Sequence, residues 1–311
     1  MFSLKSLRSR AALSGATAAL AAGLVATMAA PAGAAAQPAA QPDSSASVTA
    51  QMASVINAAN KGNNAPERDA QIIGGTAVNI KNYPFMTQLW VGDGRGHGWF
   101  CSGSVVNSRK ILTAAHCVKG KNFVKYGFVI TGATRIADSH SLYGGKMYSI
   151  SKQWYHPRYN SSTFANDIAV LTLRSRTAAK PAKVTTSTDT ASYRPGKIGT
   201  SVGWGRTTSK NQNLSTYLRR GYLPVQANSV CQRFWGSAFK KGAMLCVGKA
   251  ATGSDRGTVA TCNGDSGGPF LVNGRIVGVT SWGVKDCVYK GAHPVFTKYS
   301  TYAKTVAAQL R

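Results

Sequence analysis

Cys262-Asn263-Gly264-Asp265-Ser266-Gly267-Gly268-Pro269 is the stretch on which the reading of this 311-residue chain turns. A serine set among glycines lies where the backbone can bend sharply and bring amide N–H groups close to a carbonyl oxygen. Acyl transfer needs such donors, together with an activated nucleophile, a base and a group that orients the base. A Gly-x-Ser-x-Gly pattern is only moderately specific by itself. The partners of Ser266 have to come from elsewhere in the chain.

Upstream, Thr113-Ala114-Ala115-His116-Cys117 offers a histidine, and Asn166-Asp167-Ile168-Ala169-Val170-Leu171 a carboxylate at the head of an apolar run. Taken singly, a histidine beside a cysteine is structural, and an aspartate before a strand caps a turn. The three segments together, in the order His, Asp, Ser, resemble the trypsin/chymotrypsin family of serine peptidases. The secreted bacterial (actinobacterial-type) members are the most similar in their cysteine count. The likeness runs from about Ile72 to Arg311.

The resemblance implies a set of roles. Ser266 is the nucleophile, His116 the base that later returns its proton to the leaving amine, and Asp167 the group that orients His116. The N–H groups of Gly264 and Ser266 form the oxyanion hole. The cysteines pair as Cys101–Cys117, Cys231–Cys246 and Cys262–Cys287, each bridge being typically worth about 3 kcal/mol. Ile72-Ile73-Gly74-Gly75 resembles the N-terminus that the family creates by cleavage, whose α-ammonium would pair with Asp265. Cleavage would fall after Gln71, not after Lys or Arg; the nearest basic residue is Arg68.

The resemblance also sets a substrate pocket. Trypsin-like cleavage after Lys or Arg needs an aspartate six positions before the nucleophile, and this chain has Ala260 there, followed by Thr261. Ser281-Trp282-Gly283 matches the family's pocket wall, with Ser281 supporting Asp167. Pro294 stands where a glycine is common. An uncharged, rather apolar pocket for small to medium side chains is expected, with broad selectivity. Asp286 and Lys285 are rival determinants, for basic and acidic side chains respectively.

Composition frames the rest. Met1–Arg10 carries Lys5, Arg8 and Arg10 ahead of an Ala-, Leu- and Val-rich run, which reads as a signal peptide over residues 1–36 and a secreted, extracellular product. Residues 37–71 are rich in Ala, Gln, Ser, Asn and Pro and read as a disordered propeptide or linker, with too little apolar surface to offset chain entropy. Residues 72–311 form the peptidase domain. All six cysteines lie in it, and no Cys-x-x-Cys pair is present, which favours disulfides over zinc in an exported chain. No acidic residue occurs from Tyr126 to Ala137, where relatives place calcium ligands, so neither metal nor cofactor is expected.

Short apolar runs separated by turn residues recur at Phe85–Val91, Val105–Ala114, Phe123–Thr131, Ile168–Leu173, Thr200–Trp204, Phe270–Val272 and Ile276–Ser281. They indicate an all-β domain, and the resemblance makes it two six-stranded Greek-key antiparallel barrels with a C-terminal helix. That helix is read from Ser300 as its cap, with Tyr302, Val306 and Leu310 on one face.

Of the 37 Lys and Arg, five precede Ile72, as do three of the ten acids, so the domain carries about +25. That field suits anionic surfaces or polyanions as partners besides protein and peptide substrates. The basic residues are scattered, without a nucleic-acid-binding motif, so no specific nucleic acid is expected. The mature form is expected to be a monomer without a transmembrane segment. The alternative function is a basic, polyanion- or surface-binding pseudo-peptidase of the same fold.

Overall fold

The apolar runs pair as antiparallel ladders in the computed structural model, which describes residues 49–60 and 72–311, both within one compact unit, Ala39–Arg311. The expected signal peptide lies outside the described residues, as does 37–71 apart from Thr49–Asn60.

After a two-residue strand β1 (Thr76–Ala77), six strands close into a barrel. They are β2 (Met86–Gly92), β3 (Gly98–Asn107), β4 (Lys110–Thr113), β5 (Gly127–Thr131), β6 (Lys146–Tyr155) and β7 (Ala169–Leu173). Their order is β2-β3-β4-β7-β6-β5, and closure leaves no free sheet edge. Leu89, Val105, Ile111, Val129, Ile150 and Leu171 belong to its buried core.

The second half contains β8 (Lys183–Val184), β9 (Ile198–Gly203), β10 (Arg219–Pro224), β11 (Met244–Cys246), β12 (Pro269–Val272), β13 (Arg275–Trp282) and β14 (Val295–Lys298). Their order is β1-β10-β9-β12-β13-β14-β11, with β8 parallel to β13. No continuous ladder joins β10 to β11. The residues just beyond them close the gap through a Val225–Val247 bridge, a Gln226 N–H bond to Cys246 O (2.9 Å) and a Gly248 N–H bond to Pro224 O (2.8 Å). Six strands, β9 to β14, therefore wrap around Leu223, Leu245, Phe270, Val277 and Phe296, while β1 and β8 are additions at the rim.

Two expectations are corrected. Within 37–71, residues 50–59 form a helix, α1 (Ala50–Ala59), that buries Met52, Val55 and Ile56. Its few apolar residues fall at i, i+3 and i+4 and so share one face, which average composition hides. The later helices are α2 (Ala115–Val118), α3 (Phe123–Tyr126), α4 (Asn228–Trp235) and α5 (Tyr299–Gln309). Helix α5 starts one residue before Ser300, whose N–H bonds the Tyr193 hydroxyl (3.1 Å), so Ser300 is not its cap.

Disulfides join Cys101 to Cys117, Cys231 to Cys246 and Cys262 to Cys287. Among the described residues, no helix is long and apolar enough to cross a membrane.

Candidate active site

His116 sits in α2, the single helical turn that follows β4 of the first barrel. Asp167 stands just before β7, the neighbour of β4, so the ladder itself brings the two together. Asn166 precedes it with φ 59°, a left-handed conformation that asparagine tolerates better than most residues. The Asn166 amide donates to Arg158 O (2.7 Å), and its Oδ1 accepts from the Tyr302 hydroxyl on α5 (3.2 Å).

Asp167 has no exposed surface. Its Oδ1 accepts from the His116 backbone N–H (2.8 Å), and its Oδ2 from His116 Nδ1–H (2.8 Å) and the Ser281 hydroxyl (2.6 Å). Three donors satisfy the acceptor lone pairs that burial takes out of water. The Nδ1 bond fixes the tautomer that leaves Nε2 of a neutral imidazole as an acceptor. Ser281 belongs to β13, and Thr297 of β14 donates to the Asp167 backbone carbonyl (2.7 Å). The second barrel thus supports an aspartate held by the first.

Ser266 lies in the loop before β12, and this loop is fastened across to β3. The Ser102 N–H bonds Ser266 O (2.9 Å), and the Ser102 hydroxyl bonds Gly264 O (2.9 Å). The two chains approach so closely that a Cβ on Gly267 would lie 2.0 Å from Thr113 Oγ1 and 2.5 Å from Ser102 O. No larger residue fits there.

Among the described residues, two N–H groups of the same loop have no hydrogen-bond partner. The Asn263 carbonyl accepts from the Arg206 N–H (2.8 Å), so across the trans peptide the Gly264 N–H points the other way. The Asp265 carbonyl accepts from the Gly268 N–H (2.8 Å), which turns the Ser266 N–H outward in the same manner. Gly264 reaches this arrangement at φ +100°, which a side chain would strain.

Asp265, between them, is fully buried and accepts from the Gly205 N–H (2.8 Å) and the Cys262 N–H (2.9 Å). Burial pushes its carboxyl up to about 7, against the effect of both hydrogen bonds. Among the described residues it belongs to no ion pair.

His116 and Ser266 share a cavity of about 290 Å³. Ala260, Thr261, Ser281, Trp282, Gly283 and Pro294 all line it. Ala260 is buried and its N–H bonds Ile73 O (3.0 Å), so the segment after Ile72 runs beside the pocket floor. A Cβ on Gly283 would come 3.9 Å from Pro294 Cα, which makes these two the facing walls. Among the described residues no carboxylate lines the cavity; Lys285 and His293 do. Asp286 is turned onto its own loop, accepting from the N–H groups of Val288 and Tyr289.

Sequence reasoning passed over Phe164, whose ring meets His116 edge-on with centroids 5.8 Å apart, and Ser102, which holds the nucleophile loop. Phe164 is three residues before Asp167, the one signal that could have found it. The one cluster with metal-ligand geometry among the described residues is Cys101, His116 and Cys117, and both sulfurs are in a disulfide. A metal needs thiolates there, so the residues do not fit one.

The family model described as Trypsin matches residues 72–306. The chain belongs to the trypsin family. A trypsin from Saccharopolyspora erythraea is 31% identical over 239 residues, covering 77% of this chain and 98% of the relative. Cationic trypsin-3 of Rattus norvegicus is 33% identical, covering 77% and 91%. A solved chain described as "Structure of GrC" superposes with a TM-score of 0.65 at 26% identity, covering 76% of this chain and 98% of that one. As a member of the trypsin family, the chain is a serine endopeptidase acting on protein substrates.

Proposed function

We propose that Ser266 attacks the scissile carbonyl while His116 Nε2 takes its proton, with Asp167 holding the imidazole and stabilising the imidazolium. The observation that carries this reading is the hydrogen-bonded His116–Asp167–Ser281 array that shares a cavity with Ser266, next to two uncommitted N–H donors. An acyl-enzyme forms as the C–N bond breaks and the imidazolium protonates the leaving amine. Water, deprotonated by His116, then releases the acid. The N–H groups of Gly264 and Ser266 bind the oxyanion of each tetrahedral intermediate, a contribution of about 3–4 kcal/mol per donor. Residues 116, 167, 264 and 266 do the chemistry and no cofactor takes part.

The pocket reading follows from its lining. With Ala260 at the floor and no carboxylate in the wall, a lysine or arginine side chain would be buried unpaired, at a cost of several kcal/mol. Uncharged side chains of small to medium size fit best between Trp282, Gly283 and Pro294. Cleavage profiling of a mixed peptide library by wild type and Ser266→Ala tests both parts. Cuts after apolar residues that vanish with Ser266→Ala are expected; cuts concentrated after Lys or Arg would overturn the pocket reading.

Activation is proposed to follow cleavage between Gln71 and Ile72. The new ammonium of Ile72 would supply the cation that the buried Asp265 lacks and so lock the loop bearing Gly264 and Ser266. The supporting facts are the burial of Ile72 and the raised Asp265 carboxyl. N-terminal sequencing of active, exported material should begin at Ile72; active material beginning upstream of it would refute the proposal.

A specific feature also favours an anionic partner. Lys110 and Lys152 flank Thr172 across β4, β7 and β6, and with Arg109, Arg176 and Arg311 they line two adjoining depressions. Burial, then the charges of Lys152 and Arg109, hold the Lys110 ammonium below the ordinary lysine range. The ion pairs among the described residues are His97–Asp93 and His116–Asp167, and none of these five cations is in either. Retention on an immobilised polyanion that falls with salt, and falls further for Lys110→Glu, is expected; equal retention of that variant would refute the assignment.

A further inference from the structure

Helix α1 occupies a seat on the outside of the first barrel that is built to receive it. Thr49 caps the helix, its hydroxyl accepting from the Met52 N–H (3.3 Å). Met52, Val55 and Ile56 are buried, while Gln51, Ser54 and Asn57 face solvent. Strand β2 is buried along its whole length, and the helix contributes to this at Trp90 and Gly92. Its alternate residues Leu89 and Val91 belong to the barrel core, and Trp90 points to the other face and joins the helix cluster. Phe128, Ile130 and Leu142 belong to the same cluster, with Ala133 and Ala137.

One detail shows a seat that meets its own polar needs without the helix, and a second shows how closely the helix fits it. Gln88 beneath it is satisfied from the barrel alone, its amide donating to Arg135 O (3.0 Å) and its carbonyl accepting from Ala137 N–H (2.9 Å) and Trp90 Nε1–H (3.3 Å). At Gly98 the helix backbone lies against β3, since a Cβ there would be 2.5 Å from Val55 O and 2.6 Å from Ala59 N. Without the helix, Trp90, Phe128, Ile130 and Leu142 would form a contiguous apolar patch, which soluble domains rarely leave bare.

We propose that residues 49–60 are a built-in ligand of this seat and stay bound, without a covalent link, after the chain is cut before Ile72. Retention would make the active enzyme a two-chain molecule. All six cysteines lie from Cys101 onward and pair with one another, so no disulfide tethers the helix. No residue of α1 lines the cavity of His116 and Ser266, so a retained helix leaves the cleft open. Retention rests on the proposed activation cut; docking does not.

The test uses the precursor with Ser266→Ala and a specific protease site replacing residues 66–71, so that the cut ahead of Ile72 is made at will. The cut protein is passed through size exclusion at micromolar concentration and weighed by native mass spectrometry. The fragment carrying residues 49–60 should co-elute with 72–311 as one mass. Ile56→Asp should release the fragment and lower the melting temperature of the uncut precursor by several degrees. Separation of the unsubstituted fragment on cutting, or undiminished retention of Ile56→Asp, would overturn the proposal. The natural N-terminus, read independently, reports on the activation cut and not on docking.

Discussion

Asp265 ties the stability of the uncut chain to pH in a direction that activation should weaken. In that chain its carboxyl is fully buried and burial raises it to about 7. The unfolded value is about 3.9. Between those values the native state holds a proton that the unfolded state has lost, so stability falls as pH rises through the window. A shift of about three units amounts to about 4 kcal/mol. On the proposed activation, cutting before Ile72 would bring an ammonium to the carboxylate, lower its folded value and remove most of that fall. The assay is thermal unfolding of the Ser266→Ala protein, uncut and cut, at pH 4.5, 6 and 7.5. Between pH 4.5 and 7.5 about 3 kcal/mol of this is in play, so at about 2–4 °C per kcal/mol for a domain of this size the cut form should gain about 6–12 °C on the uncut form across the range. Groups shared by both forms cancel in the difference, among them His156, which burial holds below the ordinary histidine range. Parallel pH profiles for the two forms would refute the reasoning.

Four further outcomes follow from the site. Asp167→Asn should lower kcat about 10⁴-fold by favouring the wrong histidine tautomer. Ser281→Ala, which removes one of three donors to that carboxylate, should cost about ten- to a hundredfold, read from kcat on a peptide substrate. Gly264→Ala would set a Cβ 2.4 Å from Leu214 Cδ2 at φ +100°, displacing the first oxyanion donor. A loss of about 10²–10³ in kcat with a smaller change in KM is expected. Ala260→Asp should raise kcat/KM for substrates with Lys or Arg at the cleavage site, because it places a carboxylate at a buried floor that has none; no gain would mean that Ala260 is not the floor.

The candidate site was more legible in the sequence than the packing, for physical reasons. His116, Asp167 and Ser266 each stand in a short segment of distinctive residue pattern, and the fold joins His116 to Asp167 by a hydrogen bond and sets His116 and Ser266 on one cavity. The strands were harder. The run from Val105 to Ala114 reads as one strand but contains the turn between β3 and β4, where Asn107 Oδ1 accepts from the Arg109 N–H (2.9 Å). Phe123–Thr131 opens with α3, capped by Asn122, before β5 begins. Strand β6, Lys146–Tyr155, mixes lysines, serines and a glutamine with its apolar residues and gives no apolar run. Helix α1 was missed because three buried side chains among alanines and polar residues barely change the composition. The fastening of Ser266 and Gly264 to Ser102 spans more than 160 residues of chain and left no local trace.

The central claim is that Ser266 is a nucleophile activated by His116. A fluorophosphonate that phosphonylates activated serines tests it most directly, with peptide mapping by mass spectrometry after the cut before Ile72. The account predicts one adduct per molecule, on Ser266, and its loss in His116→Ala while the fold is kept. No adduct on Ser266 of the cut wild-type protein, or equal labelling of His116→Ala, would contradict it.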